Sequence, residues 1–402
     1  MPSLAWKNLI EDRGRLAVAL AGIMFAVALI AIQTGIYAGF VKSAGLLIDE
    51  STADIWVCAQ DMRYVELTLP IPYADLDKAR HVAGVASAEP MVVRTSAFKG
   101  PQHRLELVRV VGFDPDGTLF RPGPVSDADL RKLRAKNTFL VDRANLSAMN
   151  LHGIGDTGEI GDTTLRLVAL TQGTQPIVSA TLIYTSLPNE RTYLQLGPAI
   201  DTKSFNPLAA YFGFPVGALD TLGPDTSLSY VLIRVKPGAD IAKVQRDLER
   251  ALPGTDAYTK MQMGDVTKTY WEKRTGLGFI LGLGAVVGMI VGMAVVGQIL
   301  YTSVSDHIRE YGTMKAMGAS DWTLHKIIIT QAVLMAVVGF LPGILVSEWV
   351  AAFAMAQRGL LVLISPAVAL QALAITVGMC VLSAVFAMQR VTRVDPAIVF
   401  KA

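Results

Sequence analysis

Four long stretches of the chain carry no charged residue: Leu16–Phe40, Thr275–Ser305, Ile327–Ser347 and Gly359–Gln389. A helix crossing a hydrocarbon core about 30 Å thick uses about 20 apolar residues, so each stretch is long enough to span. Spanning helices are expected at 16–40, 275–304, 327–350 and 366–389. The last opens at Ser365-Pro366, because proline suits a first helical turn and disrupts an interior. Between the first two spans, 41–274 has a different texture. β-branched content or alternation predicts strands at Ala53–Val57, Val85–Arg94, Leu105–Gly112, Thr163–Leu170 and Leu228–Lys236. Helical periodicity predicts helices at Tyr73–Val82 and Ile241–Ala251.

The two helices sit in similar settings. Each ends near a glycine, Gly84 or Gly254, and leads into a strand-like run, Val85 onward or Thr255–Met263. That order, seen twice, suggests two related βαβ-like units. Between them, 123–224 is rich in turn residues, as at Pro122-Gly-Pro124, Pro188-Asn189 and Gly223-Pro224, and is expected to be a mostly β insertion. The expected fold class is an α-helical membrane protein with four transmembrane helices and a large α+β extracytoplasmic domain. In that domain, 50–122 and 225–264 form the βαβ unit that 123–224 interrupts.

Composition agrees: 52% of the 402 residues are hydrophobic and only 17% are charged, so part of the chain is not solvated by water. A net charge of +2 is too small for a nucleic-acid footprint. Cys58 and Cys380 are too far apart in sequence to suggest a disulfide framework or metal-ligand spacing, and each is expected to be a small buried hydrophobe.

The placement of basic residues sets the orientation. Lys7, Arg13 and Arg15 precede the first span, Arg309, Lys315 and Lys326 lie between the second and third, and Arg390, Arg393 and Lys401 follow the fourth. The cytoplasmic side is rich in such residues, so 1–15, the 305–321 link and 390–402 are expected there, with 41–274 outside. Trp271 and Trp349 then fall at the outer interface, Trp6 and Trp322 at the inner one. The first span is too long for a signal-peptide core and is expected to be a retained anchor.

Candidate chemistry is sparse. Gly153-Ile-Gly155-Asp-Thr-Gly158 matches a dinucleotide fingerprint, but a turn and then a strand follow it where that site needs a helix. Asp114-Pro-Asp-Gly117 lacks the further ligands of a calcium loop. The five histidines are scattered, no nucleophile elbow occurs, and no G-x-x-x-x-G-K-[ST] is present. No catalytic or metal residue is expected, and the chain is read as carrying no ATPase of its own. Gly284, Gly288 and Gly292 form two successive G-x-x-x-G units in the second span. They allow close backbone approach to the first helix, to a second copy across a dimer axis, or to both. The link from Asp306 to Asp321 is amphipathic and fits either a docking helix or an interfacial one. Glu348, near the outer end of the third span, is either part of a path or an interfacial residue.

Arg309-Glu-Tyr-Gly-Thr-Met-Lys-Ala-Met-Gly-Ala-Ser320 resembles the coupling-helix motif of FtsX-like permeases of ABC transporters, roughly R-E-I-G-x-x-K-A-[LM]-G-A-S. Leu4-Ala-Trp-Lys-Asn-Leu9, Val235-Lys-Pro-Gly-Ala-Asp240 and Arg390-Val-Thr-Arg-Val-Asp-Pro-Ala397 are similar to other parts of that family. Gly112-Phe-Asp-Pro-Asp116 with Phe120, and Leu140-Val-Asp-Arg143, most resemble heterocyst glycolipid exporter (DevC-like) permeases, relatives of the macrolide pump MacB without a fused ATPase.

The resemblance implies a type VII, mechanotransmission permease with a porter-like outer domain. It implies a homodimer and two copies of a separate ABC ATPase subunit, which binds the ATP and Mg, with no cofactor in this chain. By the same resemblance Arg309, Glu310, Tyr311, Met314, Lys315 and Gly318 would meet the ATPase: Glu310 and Lys315 through charge, Met314 as an apolar knob, Gly318 as the helix stop. Tyr311 stands where the family more often has isoleucine. The implied activity is export of a lipophilic or glycolipid-like substrate with a periplasmic adaptor and an outer-membrane duct, from the bacterial inner membrane. Regulation of a cell-wall hydrolase and release of lipoproteins are the alternatives.

Overall fold

A computed structural model describes residues 13–177, 179–195, 227–358 and 361–392. Expectations for Leu4–Leu9, Trp6, Gly223-Pro224, Arg393–Ala397 and Lys401, for residues 196–224 of the insertion and for 225–226 after it, lie outside the described residues. The chain divides into two compact units, Val41–Arg274, here called the head, and Met1–Phe40 with Thr275–Ala402.

In chain order, α1 (Arg13–Ala44) and α2 (Leu46–Asp49) lead into β1 (Ile55–Ala59), β2 (Ile71–Pro72), α3 (Ala74–Arg80), β3 (Val85–Lys99) and β4 (Leu105–Phe113). Then come α4 (Asp127–Lys132), β5 (Thr138–Asp142), β6 (Thr157–Ile160), β7 (Thr163–Thr171), β8 (Thr181–Ser186) and α5 (Leu187–Gln195). The head closes with β9 (Ser227–Leu228), β10 (Tyr230–Val235), α6 (Ile241–Ala251), β11 (Thr255–Thr259) and α7 (Lys260–Thr275). The remaining helices are α8 (Leu277–Asp306), α9 (Ile308–Ala316), α10 (Asp321–Arg358) and α11 (Pro366–Thr392).

Four strands of the head run side by side in the order β11-β1-β10-β3, each antiparallel to its neighbour. The connections β1-α3-β3 and β10-α6-β11 each pass through a helix and skip one strand, which is the split βαβ arrangement made twice. Leu76 and Ala79 of α3 and Val244 and Leu248 of α6 pack on Ile55, Val57, Val231 and Ile233 of the sheet. The cap of α6 is local, because the Asp240 carboxylate accepts a bond from the Ala242 N–H at 3.0 Å. Two expected strands differ. The run Thr255–Met263 stops at Thr259, and Met263 lies on the buried face of α7 instead. The run Leu228–Lys236 is interrupted at Ser229, whose hydroxyl accepts from the Val93 N–H at 2.9 Å; β9 pairs with β2 and β10 with β1 and β3.

The expected insertion does not form a sheet of its own. At about 3.3 Å per residue, the fifteen residues of β3 reach far enough to serve two sets of partners. Its first half pairs with β10, and its second half with β4 and, at Phe98 and Lys99, with β6. The order β3-β4-β8-β5-β7-β6 therefore returns to β3 and closes a six-stranded barrel. Phe98, Val108, Val110, Phe139, Leu165 and Ile183 are among its buried core. Gly158 lies against the Phe98 ring so closely that any side chain there would overlap it. In the glycine-rich run 153–158, residues 153–156 form a turn, with the Asp156 carboxylate accepting from the His152 N–H at 2.6 Å, and Thr157 and Gly158 already belong to β6.

One buried acid gives the head a pH dependence. Glu50 follows α2, and its carboxylate accepts from the Tyr184 hydroxyl at 3.2 Å. Burial, with smaller repulsion from Asp142 and Asp49, pushes its carboxyl up to about 8 from the usual range near 4.5. The folded head thus favours the neutral acid. Its contribution is complete below about pH 4.5 and is lost as pH rises towards 8, at up to about 1.4 kcal/mol per pH unit. The melting midpoint of the wild-type protein is expected to fall relative to Glu50→Gln between pH 5 and pH 8 in detergent melts. A constant difference between the two proteins across that range would contradict the assignment.

In the second unit, α1, α8, α10 and α11 are each long and apolar enough to cross a membrane.

Candidate coupling site

The link between α8 and α10 is a short helix with a fixed stop. After α8 ends, the ring Nδ1 of His307 lies 2.9 Å from the Ser303 carbonyl oxygen, and α9 begins at the next residue. Glu310 sits in its first turn and Lys315 in its last, each at the end where the helix dipole favours its charge. The stop is Gly318, at φ +94°, a left-handed conformation that glycine adopts without steric cost. There the Ala319 N–H donates to the Met314 carbonyl and the Gly318 N–H to the Lys315 carbonyl, both at 3.0 Å. Lys315 Nζ reaches Asp321 Oδ1, in the first turn of α10, at 3.1 Å.

The helix has two faces. Tyr311 and Gly312 are buried, and Tyr311 packs in one cluster with Leu300, Val304, Leu324, Ile327 and Ile328. Arg309, Glu310, Thr313 and Ala316 face out. Of the residues expected to meet a partner, the structure leaves Arg309, Glu310 and Gly318 exposed and places Met314 and Lys315 half-buried. Tyr311 is the correction: at 2% exposed it is an anchor for α9 and not part of the outer face. Met317, 75% exposed, and Trp322, 61% exposed, join that face, with Lys326 Nζ 5.6 Å above the Trp322 ring. Sequence reasoning passed over Met317 and assigned Trp322 to the membrane interface. The signal for both was two large apolar side chains flanking a helix-stopping glycine. The outer face thus joins charge of both signs to two exposed apolar groups, the mixture that binding hot spots favour.

The glycine face of α8 is used within the chain. A Cβ on Gly284 would meet Gln33 Nε2 at 2.5 Å, one on Gly288 the Leu29 side chain at 2.8 Å, and one on Gly292 the Ala26 Cβ at 2.9 Å. Within the chain these three glycines therefore seat α8 on α1, with Gly292 also against Met379 of α11. Gly339 and Gly343 of α10 close in the same way on Ile23 and Val27 of α1. Phe279, Leu283, Val287 and Ile290 are exposed along α8. At the start of the bundle, Arg15 of α1 pairs with Asp306 at the end of α8. Glu348 is exposed on α10.

The head holds a cleft of 880 Å³ bordered by Ile48, Asp49, Ile241, Met261, Asp265 and Lys268. Its opposed charges single out no ligand class.

Residues 16–251 match the family model of the MacB-like periplasmic core domain, and residues 282–396 that of the FtsX-like permease C-terminal region. An uncharacterised ABC transporter permease of Mycobacterium tuberculosis (strain ATCC 25618 / H37Rv) is 24% identical over 398 residues, covering 96% of this chain and 94% of that protein. The macrolide export ATP-binding/permease protein MacB of Escherichia coli (strain K12) is 32% identical over 127 residues, which is 31% of this chain and 20% of MacB. Among solved structures, the periplasmic region of MacB from Actinobacillus actinomycetemcomitans aligns with a TM-score of 0.35 and 8% identity, over 54% of this chain and 92% of that one. With one model covering more than half of the chain and the other most of the remainder, this protein belongs to the MacB/FtsX-type permeases, the membrane subunits of ABC transporters.

Proposed function

We propose that this chain, as a homodimer in the bacterial inner membrane with both termini in the cytoplasm, converts ATP hydrolysis by a separate ATPase subunit into motion of the head. Two ATPase subunits dock on the outer faces of the two α9 helices. The cargo is lipophilic or glycolipid-like, and a periplasmic adaptor and outer-membrane duct carry it onward.

The observation that carries this reading is the two-sided α9. Arg309, Glu310 and Met317 are presented outward while Tyr311 is held in the bundle core, so a push on the outer face is delivered to packed helices. Spans that hold almost no charge support force transmission over conduction, since ionisable groups within a span usually mark an ion or substrate path. The name of MacB speaks of macrolide export for that protein, which favours export here over hydrolase control.

The test is isolation of the tagged chain from its native membrane in mild detergent, with identification of the proteins that accompany it. An ABC ATPase and an adaptor are the expected companions. A peptidoglycan hydrolase or a lipoprotein carrier in place of the adaptor would overturn the export assignment.

A further inference from the structure

The chain passes between its two units twice, and the two crossings are built differently. The first falls within α1, which runs from Arg13 to Ala44 without a break. The second falls at the end of α7, whose last residue, Thr275, is followed by Gly276 before α8 begins at Leu277. Gly276 has φ +61° and ψ +10°, a left-handed conformation that breaks the helix and that a residue with a Cβ adopts only at a steric cost. The segments on either side of it are held. Met263 and Thr267 of α7 are buried in the head, and the Val65 N–H donates to Thr267 Oγ1 at 3.2 Å. The Tyr64 ring stacks on Tyr270 at 4.4 Å between centroids and meets the Trp271 ring edge-on at 5.1 Å. Beyond the break, a Cβ on Gly278 would lie 3.3 Å from the Tyr37 ring of α1, so α8 is packed in its own unit within two residues. At Gly276 itself a Cβ would meet nothing within 4 Å among the described residues. Its backbone conformation, and not a close neighbour, is what calls for glycine.

A hinge is a short stretch of backbone that absorbs a change of direction between two rigid parts. A helix break at a single glycine, with nothing packed on it and firm packing on both sides, has that form. Resting on the reading of this chain as a force transmitter, we infer that Gly276 is the hinge at which α7 changes direction against α8 during the ATPase cycle, while α1 is the uninterrupted rod. One stiff connection and one jointed one convert displacement of the spans into rotation of the head, which two stiff connections would resist.

Gly276→Ala puts the residue of strongest helix preference where there is room for it, and alanine populates the left-handed conformation roughly 5- to 30-fold less than glycine. It therefore joins α7 and α8 into one helix. Gly276→Asn is the control, because asparagine enters the left-handed region more readily than most residues with a Cβ. The experiment uses the full chain with its co-isolated ATPase in nanodiscs, spin-labelled at Thr269→Cys and Leu283→Cys. Both positions are exposed, whereas Cys58 and Cys380 are buried. Labelled chain is diluted with unlabelled chain so that one label pair is read, without nucleotide and with ATP and vanadate. The label distance is expected to change with nucleotide in the chain that keeps Gly276. Gly276→Ala is expected to cut that change by about half or more, and Gly276→Asn to keep most of it. ATPase recovery stays within about two-fold in both, since Gly276 lies at the opposite end of α8 from α9. A merely structural role would move the melting temperature of Gly276→Ala and leave its distance change whole. A change in Gly276→Ala equal to that with Gly276, or an equal loss in Gly276→Asn, would overturn the inference. If the distance with Gly276 ignores nucleotide although the chain still stimulates its ATPase, the hinge fails and coupling through α9 stands. If there is no stimulation either, the force-transmission reading fails first and takes the hinge with it.

Discussion

Glu310→Arg is expected to abolish recovery of the ATPase with the chain while leaving the amount of chain in the membrane unchanged. Glu310 is exposed in the first turn of α9, so reversing its charge disturbs no buried contact within the bundle. At an interface the same change removes an attraction and inserts a repulsion. Losing one partner of a buried interfacial charge pair costs about 2–5 kcal/mol, which is roughly 30-fold to several thousand-fold in affinity. The arginine also places a positive charge where the helix dipole disfavours it, at less than about 1 kcal/mol, so the loss of docking dominates. Quantifying ATPase and permease in the same eluate checks this. Unchanged recovery of the ATPase would remove Glu310 from the interface.

The second large effect is on the bundle itself. Gly292→Leu is expected to prevent α1, α8 and α11 from packing, because even the first added carbon falls 2.9 Å from Ala26 Cβ and also overlaps the Met379 side chain. Inserting side-chain volume into a packed core costs about 1–3 kcal/mol when neighbours can yield, and here two helices would have to separate. Lipid offers no hydrophobic drive to restore the contact. The detergent-solubilised protein should lose its cooperative thermal transition. Gly282→Leu is the control, since a Cβ at that position meets nothing within 4 Å. A melting curve for Gly292→Leu that overlays the control would contradict the packing described for α8.

The parts that sequence made legible are those where one residue type decides the outcome. Absence of charge marks a span without reference to anything else, and amphipathic spacing alone places α6 at Ile241–Ala251, the bounds the structure has. The end of α9 was similarly legible, since a glycine following amphipathic residues has one common use. The barrel was not. Its closure depends on Phe98 and Lys99 meeting Ile160 and Glu159 some sixty residues away, a register that no local pattern encodes. The direction of the glycine face in α8 was hidden for a related reason. Its opposite face, with Phe279, Leu283 and Ile290, is just as apolar, so periodicity offered no way to choose which side packs inward. For Tyr311 the motif located the residue but not its orientation, which is set by Leu324, Ile327 and Ile328 on the following helix. The exposed partners on the outer face, Met317 and Trp322, belong to the turn and the next helix, outside the span of the helical repeat that first drew notice to the site.

On the proposed reading, energy enters this chain from a separate subunit through α9. It is tested most directly by ATP hydrolysis in liposomes containing the purified chain alone, the chain with its co-isolated ATPase, and the Glu310→Arg chain mixed with that ATPase. The account predicts no turnover from the chain alone and, for the wild-type pair, turnover above that of the ATPase by itself. It also predicts return to the level of the isolated ATPase with Glu310→Arg. Hydrolysis by the chain alone, or full stimulation by the Glu310→Arg protein, would contradict it.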